Sequence, residues 1–254
     1  MGKLREKMRD RKRISFRLVA PSIITILALS AGLTAIKFGY DGKFEQAVFA
    51  IILAGVFDGL DGSVARLLKA SSKFGAELDS LSDVIAFGVA PALVLYMWGL
   101  EGLGGIGWIV CLLYVVCQAL RLARYNSAMD LDDGPRKKAG FLTGIPAPMG
   151  AYLALLPLMA DFSFPGLIGE YKSIVLVSTA LICVGMISKI PTYSIKQLII
   201  RRDHMIYLLL SVGGLVASIT TYGWVPVVVF GVGYMGLIPF AIRSYSKAQK
   251  EFKA

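Results

Sequence analysis

Four aspartates, Asp58, Asp61, Asp79 and Asp83, stand at fixed spacing within residues 57–83, FDGLDGSVARLLKASSKFGAELDSLSD. Between them lie Gly62, Ala65, Arg66 and Gly75. Apolar runs flank the stretch closely, with AVFAIILAGVF before Asp58 and VIAFGVAPALVLYMW after Asp83. Both runs read as membrane helices, so the acids sit near a bilayer boundary, where ionisable groups are costly unless paired, solvated or bound to a metal. Four carboxylates together also repel one another unless cations neutralise them. The economical reading is a divalent metal site.

The spacing predicts how the elements must position that site. Asp58, Asp61 and Ala65 fall at i, i+3 and i+7, on one face of a helix. Gly75, Asp79, Asp83 and Phe87 fall at successive i+4 steps, again on one face. Two helices joined by a short loop can therefore aim two pairs of carboxylates at one point. Hard oxygen ligands of this kind suit Mg²⁺ or Mn²⁺, and Mg²⁺ commonly works through carboxylates plus substrate phosphates. Gly62 and Ala65 leave the face bare, so a ligand can approach the backbone. Arg66 adds a planar donor fork suited to phosphate. The bland alternative, solvated helix ends in a basic loop, suits one aspartate pair better than four acids interleaved with small residues.

The rest of the chain reads as scaffold for such a site. Of 254 residues, 56% are hydrophobic and only 17% charged, and the mean hydropathy is +0.66; this is a polytopic membrane protein, not a soluble domain. A net charge of +10 could suggest nucleic acid, but its distribution does not. Residues 1–17 carry eight Lys/Arg against two acids, as expected of a basic cytoplasmic segment lying on an anionic membrane surface or acting as a topology signal. Apolar runs at 18–38, 44–68, 74–98, 104–125, 141–160, 173–190, 205–221 and 224–242 predict an all-α architecture of about eight spans. With both termini inside, only Lys37, Lys43 and Lys172 of the 27 Lys/Arg fall outside, so the positive-inside bias supports an N-in, C-in topology with the aspartates facing the cytoplasm. The fifth span is broken by Pro146 and Pro148, and residues 189–203 could include an interfacial helix.

Smaller features are mostly structural. Cys111, Cys117 and Cys183 lie in apolar spans without metal-ligand spacing and read as small buried hydrophobes. His204 reads as an interface residue, and Asp130, Asp132 and Asp133 as part of a solvated loop. Gly-rich 102–107 has no preceding strand and is not a dinucleotide motif. Arg121 and Arg124, one turn apart at the end of the fourth span, want an anion or a cytoplasmic exit. FLTGIPAPMGA at 141–151 frees backbone groups, which are tolerated at membrane depth only beside protein or a wet cavity.

The pattern Asp58-x₂-Asp61-Gly62-x₂-Ala65-Arg66-x₈-Gly75-x₃-Asp79-x₃-Asp83 resembles the full signature of the CDP-alcohol phosphotransferases. LDSLSDVIAFGVAPAL, RLARYN and FLTGIPAP together resemble the membrane-embedded bacterial phosphatidylserine synthases within it. The likeness runs from the first span to about Lys196, so residues 18–196 form the expected membrane core and 197–254 an extension with two further spans. The resemblance implies transfer of the phosphatidyl group from CDP-diacylglycerol to L-serine, with release of CMP, in phospholipid biosynthesis at the bacterial inner membrane. It implies two divalent ions held by Asp58, Asp61, Asp79 and Asp83, with Asp83 as the base. It further implies contacts to the CDP-lipid from Gly62, Ala65, Arg66, Ser72 and Gly75, and from Ser22 and Thr25. Family members often open the first span with Pro-Asn, where this chain has Pro21-Ser22; a serine hydroxyl can still donate. Arg121, Arg124 and Lys189 are candidates for the serine carboxylate. Homodimers are common in the family.

Rival readings keep the same residues. The acceptor could be glycerol 3-phosphate, inositol phosphate or choline, since acceptor choice rests on the resemblance. A divalent-metal transporter would also place acids near a boundary, but these cluster at one face and no inverted repeat shows. A noncatalytic scaffold leaves the carboxylates unexplained.

Overall fold

The computed structural model describes residues 16–68, 70, 72–129, 141–166, 172–188, 190–193, 218 and 221–251. Eight longer helices, a 3₁₀ turn (Leu100–Leu103) and one short ribbon make up the described elements: α1 (Phe16–Tyr40), α2 (Phe44–Leu68), α3 (Lys73–Trp98), α4 (Gly105–Met129), β1 (Phe141–Thr143), α5 (Ala147–Ala154), α6 (Leu156–Ser163), α7 (Lys172–Ile187), β2 (Pro191–Tyr193) and α8 (Val225–Glu251). Five of the helices, α1–α4 and α8, are long and apolar enough to cross a membrane. The chain is thus an integral membrane protein, and these helices match the first four expected spans and the eighth.

The other expected spans fare differently. The sixth corresponds to α7, a shorter apolar helix. The seventh, His204 and the acidic group at 130–133 lie largely or wholly outside the described residues, as does 194–203. The fifth is not one helix. Its first residues form β1, which pairs antiparallel with β2 in the register Phe141↔Tyr193, so the architecture is helical with one two-stranded ribbon. Gly144 follows at φ +76°, a left-handed conformation that glycine adopts without strain, and α5 then ends at Ala154, with Leu155 as its C-cap shortly before Pro157. Pro157 cannot donate to the Leu153 carbonyl, and the helix restarts as α6.

α1 and α2 form the most extensive pairing among the described elements, closed by a turn in which the Lys43 N–H donates to the Phe38 carbonyl at 2.8 Å. Close approach of α1 to α3 depends on Gly32, where a Cβ would lie 2.8 Å from the Ala86 Cα. The core runs through Val48, Ile51, Phe87, Leu95, Tyr114, Leu153 and Met186, and the three cysteines are free and buried within it.

α3 contains a π-helical stretch, Val84–Val89, beginning directly after Asp83. Pro91 supplies the cause. It has no N–H for the Phe87 carbonyl, and a wider turn relieves the clash that its ring would make. The Tyr114 hydroxyl of α4 donates to that carbonyl at 3.0 Å, so the break remains satisfied in the apolar interior.

Candidate metal and phosphate site

Three helices converge on the aspartates. α2 delivers Asp58 and Asp61 from its cytoplasm-expected end, α3 delivers Asp79 and Asp83, and α1 supplies Thr25 behind them. Asp58, Asp61 and Asp79 each present a ligand oxygen, and these atoms all lie within 4.8 Å of one another. The Asp83 carboxyl reaches Asp58 at hydrogen-bonding range and stands within electrostatic reach of Asp79 and Asp61. The expected convergence of two carboxylate pairs is therefore present. A set of hard anionic oxygens on rigid helices fits a divalent cation, and a cation would offset the mutual repulsion of the carboxylates.

The supporting shell is built from hydroxyls. Asp61 is only 5% exposed and Thr25 4%, and the Thr25 Oγ1 donates to Asp61 Oδ2 at 2.6 Å. The same hydroxyl lies 3.1 Å from the Pro21 carbonyl. Ser82, buried on α3, donates to the Thr25 carbonyl at 3.3 Å. Sequence reasoning does not single out Ser82; its one signal is a polar residue within an apolar helix, beside a motif aspartate.

The remaining motif residues form the mouth of the site. Ser72 caps the N-terminus of α3, its Oγ accepting from the Gly75 N–H at 3.0 Å. A Cβ on Gly75 would meet the Ser72 Oγ at 3.1 Å and the Ser22 Oγ at 3.7 Å, so Ser22, Ser72 and Gly75 are brought together. Gly62 is exposed, with nothing within 4 Å of where its Cβ would stand, and Ala65 is half-buried a turn further on. Arg66 is exposed, its Nη2 3.4 Å from the Ser63 Oγ. The mouth is bare backbone, hydroxyls and a guanidinium: a surface suited to phosphate and a polar headgroup.

The two arginines of α4 part company. Arg124 donates to the carbonyls of Ile187 at 2.6 Å, Met186 at 3.3 Å and Ser188 at 3.4 Å; it caps the C-terminal end of α7, where a cation meets the negative pole of the helix. Arg121 lies within electrostatic reach of Asp83, and its Nε is buried with no hydrogen-bond partner among the described residues. Asn126 donates to the Ser80 hydroxyl at 2.8 Å, tying α4 to α3 beside the site. Lys189 lies outside the described residues.

The sequence model of the CDP-alcohol phosphatidyltransferase family matches residues 18–184, a stretch that contains every described member of this constellation. Over 241 residues the chain is 38% identical to a CDP-diacylglycerol–serine O-phosphatidyltransferase of Mycobacterium tuberculosis, covering 94% of this chain and 82% of that protein. A protein of the same description from Helicobacter pylori is 37% identical over 177 residues, 70% of this chain and 73% of the relative. An archaetidylserine synthase of Methanothermobacter thermautotrophicus is 38% identical over 146 residues, 57% of this chain and 59% of the relative. This chain belongs to the CDP-alcohol phosphatidyltransferase family. It is a membrane-embedded transferase of a class that depends on divalent cations, and its aspartate cluster is where a cation would sit.

Proposed function

We propose that this protein transfers the phosphatidyl group of CDP-diacylglycerol to the hydroxyl of L-serine, giving phosphatidylserine and CMP. Support comes from relatives described as CDP-diacylglycerol–serine O-phosphatidyltransferases and from one described as an archaetidylserine synthase. The single structural observation that carries the reading is the meeting of Asp58, Asp61 and Asp79 within 4.8 Å, with Asp83 beside them.

In this reading Asp58, Asp61, Asp79 and Asp83 hold Mg²⁺ or Mn²⁺, as two ions. Bound there, the metal supplies positive charge against the diphosphate and the departing CMP. Gly62 and Ala65 let the nucleotide part approach α2, while Arg66, Ser72 and Ser22 offer it donors and Gly75 keeps the approach to α3 open. Thr25 holds Asp61 in place. Asp83 accepts the proton of the serine hydroxyl as its oxygen attacks the lipid-side phosphorus. A carboxylate is a weak base at neutral pH, so positioning carries much of the effect. Arg121 is the candidate for the serine carboxylate, with Arg124 setting its helix against α7.

Eight spans with both termini inside would place this mouth on the cytoplasmic face of a bacterial inner membrane, where CDP-lipid headgroups and serine are both at hand. The test is CMP release by purified protein with CDP-diacylglycerol and Mg²⁺ or Mn²⁺. Serine is compared with glycerol 3-phosphate, inositol phosphate, choline and no acceptor. Release that needs both serine and metal is expected. Release with another acceptor instead would keep the metal site and overturn the acceptor; no release with any acceptor would overturn the enzyme.

A further inference from the structure

A groove of about 230 Å³ runs beside α2 toward the aspartates. Val48, Gly55 and Val56 of α2, Phe87 of α3, Tyr152 of α5 and Phe230 of α8 are among the groups that line it. Among the described residues no carboxyl or ammonium group lines it, and the one hydroxyl that does, on Tyr152, is donated to the Val227 carbonyl. Gly55 and Val56 lie within one turn of Asp58, and Val48 lies ten residues before it, about 15 Å along the helix axis. The groove therefore starts at the level of the metal site and leads into the apolar depth.

One wall is unlike the rest. α8 lies beyond residues 18–184 matched by the family, yet it is seated firmly. Gly231 allows the approach, since a Cβ there would lie 2.5 Å from the Leu156 Cδ1. The Tyr152 and Phe230 rings meet edge-on with centroids 5.9 Å apart. Trp224, just before α8, packs against Phe49 at 5.3 Å, at the end of α2 remote from Asp58. Phe230, further along α8, thus stands beside the groove between that remote end and the aspartates.

We infer that this groove receives one acyl chain of the CDP-linked lipid, and that Phe230 of α8 limits the chain length it accepts. The inference rests on the proposed lipid substrate. A diacyl lipid whose phosphates sit at the aspartates has its acyl carbons only a few bonds away, and the near end of this apolar groove, at Gly55 and Val56, lies within one turn of Asp58. An open helix face would take any bulk lipid; a groove walled by α8 makes the fit depend on the chain.

Two measurements test it. In the first, kcat/KM is compared for dioctanoyl and dipalmitoyl CDP-diacylglycerol. Phe230→Trp should lower the long-to-short ratio on the order of tenfold, the scale on which apolar pockets discriminate methylenes, and Phe230→Ala should shift it the other way. Val229→Trp, next to Phe230 on the same helix but not among the residues that line the groove, should leave the ratio unmoved. In the second, wild-type protein is photolabelled with CDP-diacylglycerol carrying a diazirine at one acyl terminus. Labelled peptides should come from α2, α5 and α8. An unchanged ratio in Phe230→Trp, an equal shift in Val229→Trp, or equal labelling by a diazirine phosphatidylcholine would overturn the inference. Labelling needs no turnover, so wild-type protein that labels correctly but fails to use serine would overturn only the proposed acceptor.

Discussion

Thr25 on α1 and Asp61 on α2 share a 2.6 Å hydrogen bond, both side chains shut away from solvent, which fixes one carboxylate of the cluster from a helix that carries no acid of its own there. Partners of this kind orient a ligand, and their loss typically costs 10–100-fold in metal affinity or activity. Thr25→Val, which keeps the shape and removes the donor, should raise the Mg²⁺ or Mn²⁺ concentration needed for half-maximal CMP release by about tenfold or more. Thr25→Ser should stay close to wild type. An unchanged metal dependence in the valine variant would confine the bond to helix packing.

Asp79→Asn should abolish metal-dependent CMP release, and it should do something less usual to stability. Like charges held together destabilise the metal-free fold, so removing one should raise the Tm measured in EDTA. The same variant should lose the Tm increase that Mg²⁺ or Mn²⁺ gives wild type, because a ligand stabilises a fold only through the site that binds it. A variant that kept the metal-induced shift would place the ion elsewhere.

Arg121 and Arg124 should separate in kinetics. Arg121→Gln is expected to raise the serine KM on the order of tenfold or more with little change in the CDP-lipid KM, since loss of one charged contact typically costs about 1.5–3 kcal/mol. Arg124→Gln should instead lower thermal stability in detergent by about 1–2 kcal/mol, as carbonyls at the end of α7 lose their donor. Equal effects of Arg121→Gln on both KM values would sink its assignment to the serine carboxylate.

These residues also mark where sequence reasoning reaches and where it stops. Asp58, Asp61, Asp79 and Asp83 are legible because helix periodicity is local, and i+3 and i+4 spacing fixes which carboxylates share a face. The long spans are legible because a bilayer demands about 20 apolar residues. The regular α register ends at Asp83, because Pro91, eight residues on, forces the π turn; the proline is visible in the sequence, but the Tyr114 hydroxyl that satisfies the freed carbonyl comes from another helix. The separation of Arg121 from Arg124 is likewise invisible one turn apart on one helix, since what distinguishes them is the end of α7. The β1–β2 pairing joins segments about 50 residues apart, and runs of three residues such as Phe141–Thr143 and Pro191–Tyr193 are too short for periodicity to tell a strand from a helix entry. Gly62 and Gly75 look alike in the motif, yet one faces open space and the other two serine hydroxyls.

Gly62 provides a direct probe of the mouth. Because nothing lies within 4 Å of its would-be Cβ, Gly62→Leu should fold normally, and replacing glycine within a helix should if anything add stability, up to about 1 kcal/mol. Its CDP-lipid KM should nonetheless rise strongly, because the new side chain covers bare backbone beside Asp58 and Asp61. Normal kinetics would mean that the nucleotide approaches from another side.

Ser72 has two candidate roles, and two substitutions distinguish them. As the N-cap of α3 it accepts the Gly75 N–H at 3.0 Å; loss of such a cap to alanine costs about 1 kcal/mol, but loss to glycine only a few tenths. A contact to the CDP headgroup would need the hydroxyl itself, which alanine and glycine lack equally. If Ser72 touches the substrate, Ser72→Ala and Ser72→Gly should raise the CDP-lipid KM by the same factor while differing in Tm. If the KM change instead follows the Tm change, mild for glycine and larger for alanine, then Ser72 serves the site only by holding the first turn of α3, and through it the aim of Asp79 and Asp83.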